Sequence, residues 1–300
     1  PHPQAPTIRT ILTAPSPYGR KPEWCAKILN VDTPPQHTDM KIREIINAIE
    51  AFAPPSLQEG YDNTGYQTGN PDAEASGALL CIDVTEGIID EAVAKGCNLV
   101  ITHHPLLFRG VKCVIGRDRP ERVLAKAIRN DITVYSSHTA MDSAVGGVSW
   151  RMAGKLGLTD TEVLVPSSPG AATGLGIVGN LEAPLSPLQL AERVKQAFSS
   201  QVLRISRPAG QLEITRVALC GGSAGEFIPQ AIASGAQAYI TADCKHNQFL
   251  DQTDRIMLMD AGHFETEACT KEIFFDILTE KFPNFAVCYS DTEKNPIIYL

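Results

Sequence analysis

Apolar residues recur along the chain at two spacings, one typical of helices and one typical of buried strands. Between Met40 and Phe52, apolar side chains fall at positions 42, 45, 46, 49 and 52, which is the spacing of one helix face. Short continuous apolar runs such as Ala78 to Ile82 follow, and they alternate with further helical patterns. Because a strand buried on both faces is apolar throughout, this alternation predicts an α/β fold.

The alternation occurs in two stretches, which predicts two α/β domains with mixed sheets. In the first stretch we expect strands over residues 77–84, 98–102 and 132–136, and helices over residues 86–95, 121–129 and 148–156. In the second we expect strands over residues 175–180, 202–206, 217–220, 238–241 and 256–259, and helices over residues 188–198, 226–233 and 247–250. A long helix over residues 263–282 and apolar segments at 285–289 and 297–300 complete the pattern.

These elements give the expected domain boundaries. We place the first domain at residues 40–165, joined by residues 262–300, and the second domain at residues 166–261, after a turn-rich segment. Ligands of such folds bind at the carboxyl ends of the strands, so we expect the functional site there, between the two domains.

Residues 1–39 depart from this pattern and are predicted to form a flexible N-terminal extension. The segment is rich in proline and carries basic residues, but it has no apolar core of the kind that a secretory signal contains. An organelle presequence is an alternative, which Glu23, Asp32 and the many prolines disfavour.

Composition excludes some classes of partner. The formal net charge is −8, whereas a surface that binds the phosphate backbone has to be basic, so we expect no direct contact with nucleic acid. No apolar run approaches the roughly 20 residues that cross a membrane, so no membrane partner is expected. The eight cysteines contain no C-x-x-C pair, which favours free thiols in a reducing compartment such as the cytoplasm.

Histidines stand at the ends of several predicted strands. His103 and His104 directly follow the apolar run from Leu99 to Thr102, and His138 ends a second strand. Adjacent side chains on an extended backbone point to opposite sides, so a His-His pair can serve two neighbouring sites. Taken alone, such a pair is more often one buried, hydrogen-bonded histidine beside an exposed one.

Carboxylates accompany these histidines. Asp142 lies four residues after His138, and His263 and Glu267 occupy positions i and i+4 on one face of a predicted helix. Each pattern alone is common, but together they bring imidazoles and carboxylates to one edge of a sheet, a mixture that suits Zn, Fe or Mn better than Ca. We therefore predict a site for two divalent metal ions with the ligands His103, His104, Asp142, His263 and Glu267.

Six motifs, taken in order, resemble those of the Nif-three-like family, whose members are commonly described as homologues of type 2 GTP cyclohydrolase I. The motifs are Gln58-Glu-Gly-Tyr-Asp-Asn-Thr-Gly-Tyr-Gln-Thr-Gly69, Ile101-Thr-His-His-Pro-Leu106, Ser137-His-Thr-Ala-Met-Asp142, Gly221-Gly-Ser-Ala-Gly225, Thr241-Ala-Asp-Cys-Lys245 and Gly262-His-Phe-Glu-Thr-Glu267. The resemblance implies a dinuclear metal site formed by the five ligands above, two α/β domains, and a homohexamer built as a trimer of dimers. Departures from the family pattern at Ala140-Met141, Ala242 and His246-Asn247 leave the five ligands unchanged and bear on substrate specificity.

Other polar residues at strand ends are candidates for catalysis and substrate binding. We predict that His138 orients or protonates the substrate and that Lys245 and His246 contact it. The predicted substrate-binding residues are Gly221, Gly222, Ser223 and Asp243. The amides of a glycine-rich turn can hold a phosphate. A tight strand-to-helix turn explains the glycines equally well. The G-x-G-x-x-G match that begins at Gly174 lies within a predicted strand and is rejected as a nucleotide fingerprint.

Two functions from different classes are consistent with these residues. The first is a metal-dependent hydrolase in which two ions activate water against a small, nucleotide-like substrate, as the resemblance to type 2 GTP cyclohydrolase I implies. The alternative is a non-catalytic metal-binding scaffold or a transcription-regulator-interacting protein, which the names of some relatives suggest.

Overall fold

The computed structural model describes residues 40–207, 213–251 and 254–300. The predicted N-terminal extension, residues 1–39, lies outside the described residues. Within them, the strands form two sheets.

The first sheet is mostly parallel. Its strands are β1 (Gly65–Thr68), β2 (Ala78–Cys81), β3 (Leu99–Thr102), β4 (Thr133–Ser136) and β11 (Val287–Tyr289), in the order β1-β4-β3-β2-β11. Strands β4, β3, β2 and β11 run parallel, and β1 pairs antiparallel with β4 at the edge. Every residue of β2, β3 and β4 is buried, as the apolar runs of β2 and β3 predict. The carboxyl ends of these three strands therefore lie together at one edge of the sheet.

The second sheet is also mixed. Its strands are β5 (Leu158–Pro166), β6 (Gly174–Leu185), β7 (Arg204–Ile205), β8 (Ile214–Ser223), β9 (Ala238–Ala242) and β10 (Met257–Asp260), in the order β5-β6-β8-β9-β10-β7. Strands β8, β9 and β10 are parallel, and the other pairs are antiparallel. Both sheets thus combine parallel and antiparallel pairs, which confirms the predicted α/β class with mixed sheets.

Helices follow most of the strands. They are α1 (Ile42–Phe52), α2 (Glu86–Ala94), α3 (Arg119–Arg129), α4 (Thr139–Ser143), α5 (Val148–Leu156), α6 (Pro187–Phe198), α7 (Ile228–Ala233), α8 (His246–Asp251), α9 (His263–Glu267) and α10 (Thr270–Lys281). Three of them begin where a side chain, from Thr85, Asp118 or Ser186, accepts a hydrogen bond from an amide of the first turn. These caps satisfy amides that would otherwise lack a partner, and they explain where α2, α3 and α6 start.

One apolar core connects the two sheets. It contains Leu80 and Ile101 from the first sheet, Ile177 and Leu219 from the second, and Met152 of α5. Helix α5 contacts β6 and β8 directly. Because both sheets pack against the same core, the strand ends of the first sheet and the helices that follow the second lie in fixed positions relative to one another.

Some predicted elements differ from the observed ones. Strand β5 was not predicted, because most of its side chains are exposed or half-buried and its apolar run, Val163 to Val165, is only three residues long. It pairs with β6 in the second sheet, so that sheet begins at Leu158, before the boundary that we placed at residue 166. The predicted linker is the turn that joins these two strands, where the amide of Ser167 donates to the carbonyl of Thr173.

The C-terminal region also differs from its prediction. The single helix predicted over residues 263–282 is divided into α9 and α10 by Ala268 and Cys269. The apolar segment at residues 297–300 forms no strand, and the side chains of Ile298 and Leu300 are exposed. Of the two apolar segments that complete the pattern, the one at residues 285–289 contributes strand β11 and the one at residues 297–300 contributes none.

Two expectations from composition concern membranes and thiols. Among the helices of residues 40–207, 213–251 and 254–300, none has both the length and the apolar character needed to cross a bilayer. The cysteines in these residues are free thiols.

Candidate metal centre

The carboxyl ends of β2, β3 and β4 deliver polar side chains to one place. His103 and His104 directly follow β3, and Asp83 and His138 follow β2 and β4. The amides of His103 and His104 donate to the carbonyls of Cys81 and Ile82, so the pairing between the two chain segments continues beyond the strands. The backbone of the two histidines is consequently anchored to the end of β2 and the residue after it.

His103 is completely buried at this edge. Its Nδ1–H donates to the carbonyl oxygen of Ser137 at 3.1 Å, because a carbonyl can only accept. Its Nε2 lies 3.8 Å from Oδ1 of Asp142 and 3.6 Å from Oε1 of Glu267. Among the described residues Nε2 has no hydrogen-bond partner, although it is buried. A buried nitrogen of this kind, facing two carboxylates, is what a metal ligand requires.

His104 points to the other side of the same carboxylate. Its Nδ1 lies 3.1 Å from Oδ1 of Asp83. Its Nε2 lies 2.9 Å from Oε2 of Glu267 and 3.3 Å from Nε2 of His263. The two adjacent histidines therefore face different oxygens of Glu267, as the opposite directions of neighbouring side chains on an extended backbone predict.

His263 and Glu267 come from α9, which follows the second sheet. Their side chains are neighbours at positions i and i+4, with 3.1 Å between Nε2 and Oε2. Nδ1 of His263 lies 2.7 Å from Oδ2 of Asp243, a residue just after β9. Asp243 was predicted to bind substrate, and the structure places it behind a histidine of the cluster.

His138 completes the group of imidazoles. Its Nδ1 lies 2.8 Å from Oδ1 of Asp62, whose other oxygen accepts from the amide of Thr139. The ring centroid of His138 is 5.2 Å from that of His103 and 5.5 Å from that of His104. Potential ligand atoms of these three histidines all lie within 4.8 Å of one another.

The four histidines share one arrangement. Each Nδ1 is occupied by an oxygen acceptor, and these acceptors are Ser137, Asp83, Asp62 and Asp243. The proton consequently sits on Nδ1, and the lone pair of each neutral ring is on Nε2. Such acceptors behind a histidine are typical of metal sites, where they set the ring orientation and the tautomer. The residues present thus fit a bound metal ion.

The metal-free cluster attracts protons to its imidazoles. Burial disfavours the charged ring of His104, but hydrogen bonds to Asp83 and Glu267 outweigh it and raise the pKa of His104 to about 10. Burial also disfavours the charged ring of His263, but its contacts with Glu267 and, to a smaller extent, Asp243 outweigh this effect and raise the pKa of His263 to about 9. A cation that binds here therefore has to displace protons.

The two buried carboxylates respond in opposite directions. Burial raises the pKa of Asp142, and the negative charge of Glu267 adds to the increase. The pKa of Glu267 is held well below its ordinary range, because the nearby histidines outweigh the effect of its burial. Glu267 is thus the carboxylate that stays ionised at the centre of the cluster.

Gly222, near the end of β8, lets the second sheet approach Glu267. Its φ is +63°, and a Cβ at this position would collide with the Glu267 carboxylate and lie 3.4 Å from Nε2 of His263. The Gly222 amide donates to Oγ1 of Thr266 at 3.1 Å, which ties α9 to β8. Glycine is needed here both for the left-handed conformation and for the close approach.

The remaining predicted residues lie around this cluster. Gly221, Gly222 and Ser223 are part of β8 itself, which is longer than predicted. The amides of Gly222 and Ala224 already donate to threonine hydroxyls, so neither is available to a phosphate. Lys245 and His246 are exposed at the start of α8 and are not among the converging ligand atoms of the described residues.

Sequence reasoning missed the part played by two carboxylates. Asp83 was not singled out, and the role of Asp62 was ambiguous. The signal for Asp83 was available, because it follows a buried strand just as His104 follows the next one. Asp62 lies in a loop that precedes β1, and nothing in its local pattern indicates that it reaches His138 across 76 residues.

Comparison with known proteins identifies the family of this chain. A sequence profile of the family described as Duf34/NIF3 (NGG1p interacting factor 3) matches residues 40–296. The chain belongs to the Duf34/NIF3 family. The resemblance inferred from the six motifs is thereby confirmed.

Relatives of this Duf34/NIF3 protein match most of its length. A Clostridium acetobutylicum protein named GTP cyclohydrolase 1 type 2 homolog is 34% identical over 230 residues, 76% of this chain and 85% of that protein. A Lactococcus lactis protein of the same name is 34% identical over 267 residues, 87% of this chain and 99% of that protein. The crystal structure of a Bacillus cereus protein related to NIF3 superimposes with a TM-score of 0.80 and 25% identity, covering 88% of this chain and 100% of the other. The fold is therefore that of the family.

Proposed function

We propose that this Duf34/NIF3 protein binds two divalent metal ions and uses them to hydrolyse a small, nucleotide-like molecule. The observation that carries the proposal is the position of Glu267, whose two oxygens face different histidines. Oε1 lies 3.6 Å from Nε2 of His103, and Oε2 lies 2.9 Å from Nε2 of His104. Glu267 would thus help to hold both of two divalent cations, together with the histidines on its two sides.

The other ligands divide between the two sides of Glu267. His103 and Asp142 lie on the side of Oε1, and His104 and His263 lie on the side of Oε2. Imidazole nitrogen mixed with carboxylate oxygen, without thiolate, supports Zn, Fe or Mn as the bound metal. Bound divalent ions would lower the pKa of a water molecule so that it can act as a nucleophile near neutral pH.

His138 is the candidate for proton transfer at this site. Asp62 holds its Nδ1, which leaves Nε2 beside His103 and His104 to accept or donate a proton. Lys245 and His246 are proposed to contact substrate from the exposed start of α8, close in sequence to Asp243. This assignment is supported by their position beyond the residue that orients His263.

The substrate class follows from the relatives and remains part of the proposal. Relatives in Clostridium acetobutylicum and Lactococcus lactis are named GTP cyclohydrolase 1 type 2 homolog. Opening of the purine ring of GTP is a hydrolytic reaction at an electrophilic carbon, which two-metal activation of water would serve. A nucleotide phosphohydrolase would use the same residues.

A turnover assay tests the proposal. Protein loaded with Zn²⁺, Mn²⁺ or Fe²⁺ is incubated with GTP and other nucleotides, and the products are separated by chromatography. Asp142→Asn should abolish turnover, whereas Asp90→Asn, a matched change at an exposed carboxylate on α2, should leave it unchanged. Metal-saturated protein that turns over none of these nucleotides would contradict the hydrolase function and favour the non-catalytic scaffold.

The assembly and the compartment are further expectations. The family resemblance supports a homohexamer arranged as a trimer of dimers, which light scattering coupled to gel filtration would test. Free thiols in the described residues are consistent with a reducing compartment, and the cytoplasm is the proposed location.

A further inference from the structure

Two exposed aromatic side chains lie beside the histidine cluster and have no part in the proposed metal site. Tyr61 is 63% exposed and Phe108 is 47% exposed. Their ring centroids are 6.4 Å apart, with a tilt of 58° between the ring planes. The ring of Phe108 lies 6.2 Å from the ring of His138, at 81° to it. The two aromatic rings therefore stand at the rim of the candidate metal centre.

The backbone beside each ring is held in place. Asp62, next to Tyr61, accepts hydrogen bonds from His138 and the amide of Thr139. Leu107, next to Phe108, accepts from the side chain of Asn63 at 2.8 Å and donates its amide to Gln67 at 2.9 Å. Large aromatic rings on a fixed backbone that nevertheless remain exposed are typical of recognition sites.

The charged groups around Tyr61 are acidic. Burial and the negative charges of Glu59, Glu226 and Asp62 raise the pKa of Tyr61, so its phenol stays neutral at physiological pH. Asp62 already accepts from His138 and Thr139, whereas the carboxylates of Glu59 and Glu226, which can only accept hydrogen bonds, complement a ligand that presents N–H groups along its edge.

We infer that Tyr61 and Phe108 form a docking surface for a planar heteroaromatic ring of the nucleobase class, which stacks on them with its reactive edge towards His138. The inference rests on the proposed function, because it names the part of the substrate that the same site recognises. Stacking on aromatic side chains tolerates any base, since every base has a π face. The acidic rim adds a preference for bases that carry N–H donors.

Binding of guanosine, measured by calorimetry on the protein as purified and after loading with Zn²⁺, tests the inference. Tyr61→Ala and Phe108→Ala should each weaken guanosine binding by roughly tenfold or more, because each removes a stacking face. Tyr61→Phe keeps the face and should bind within about twofold of the unchanged protein. Leu188→Ala, at an exposed apolar residue of α6, is the matched control and should bind normally.

Separate probes identify the group that is recognised. Ribose and inorganic tripolyphosphate, measured alone, should bind much more weakly than guanosine. Guanosine affinity that survives both alanine changes, or binding of tripolyphosphate alone, would overturn the inference. The metal content of both alanine variants should equal that of the unchanged protein. Loss of guanosine binding together with metal in both variants would also overturn it, since the two rings would then support the metal centre itself.

The outcomes are distinguishable from failure of the proposed function. Guanosine that binds through the two rings, together with metal-saturated protein that turns over none of the nucleotides, would preserve this inference and contradict the hydrolase proposal. Hydrolysis that proceeds at an unchanged KM in both alanine variants would contradict this inference and preserve the hydrolase proposal.

Discussion

Replacing Gly222 with alanine tests whether Glu267 has to keep its observed position for metal binding. The new Cβ would overlap the Glu267 carboxylate, which is almost completely buried among histidines. The carboxylate would have to retreat by roughly 1 Å to reach van der Waals distance. Alanine in the left-handed conformation costs a further 1–2 kcal/mol or so of folding free energy, about the cost of a left-handed residue. A ligand displaced by this distance should lower the affinity for Zn²⁺ by about 10–100-fold, as loss of a supporting contact does at other metal sites.

Gly235 offers the matched control. Its φ is +77°, close to the φ of Gly222, but a Cβ there would meet no atom within 4 Å. Gly235→Ala should therefore lose the stability that the left-handed conformation costs, without losing metal. Stability is measured by thermal unfolding in the presence of a chelator, and metal affinity by competition with a chromophoric chelator. Equal Zn²⁺ affinity in both variants would refute the argument that Gly222 is required by the position of Glu267.

Three further predictions concern the support of the site, its protons and the C-terminal segment. Asp83→Asn removes the negative charge that accepts the hydrogen bond from Nδ1 of His104, so Zn²⁺ affinity should fall about 10–100-fold in the same competition assay. An unchanged affinity would show that His104 is not a ligand. Because His104 and His263 have pKa values of about 10 and about 9 in the metal-free protein, Zn²⁺ affinity should rise as the pH increases towards 9. Calorimetry in buffers of different ionisation enthalpy should detect the protons that are released on Zn²⁺ binding. An affinity that does not change with pH would contradict this prediction. Burial opposes ionisation of Glu91, but hydrogen bonds such as that from Ser290 lower its pKa from 4.5 to about 2. Glu91 therefore stabilises the fold above pH 4.5 and does so less as the pH falls towards 2. Glu91→Gln should make the melting temperature fall less steeply with decreasing pH in this range, and an equally steep fall in the variant and the unchanged protein would show that Glu91 is not responsible for it.

The parts of the fold with strong apolar periodicity were predictable. Helix α5 was predicted with its observed ends, Val148 and Leu156, and β3 to within one residue. β3 is buried throughout and α5 buries one face, so their sequences carry the packing requirement directly. Strands β1 and β5 were missed because they are short or largely exposed. Their side chains mainly contact the neighbouring strand, so their sequences do not show the apolar pattern that a buried strand requires.

The candidate site divides in the same way. The convergence of His103, His104, His263 and Glu267 was predictable, because each directly follows a strand or shares a helix face. Hydrogen-bond partners that are distant in sequence, such as Asp62, were not predictable, because the hydrogen bond to His138 depends on how a loop folds back over the sheet. The phosphate-binding role predicted for Gly221, Gly222 and Ser223 stays a prediction. The amide of Gly222 already donates to Thr266, and a motif does not reveal which amides the fold has paired.

The most direct test of the central claim is the metal content of gently purified protein, measured by plasma mass spectrometry. His103→Ala and Glu267→Ala are compared with Asp90→Asn, and circular dichroism verifies that each variant is folded. The account predicts about two equivalents of transition metal per chain in the unchanged protein and in Asp90→Asn, with a marked loss in the other two variants. Protein that holds no metal, even after reconstitution with Zn, Mn or Fe, would contradict the account.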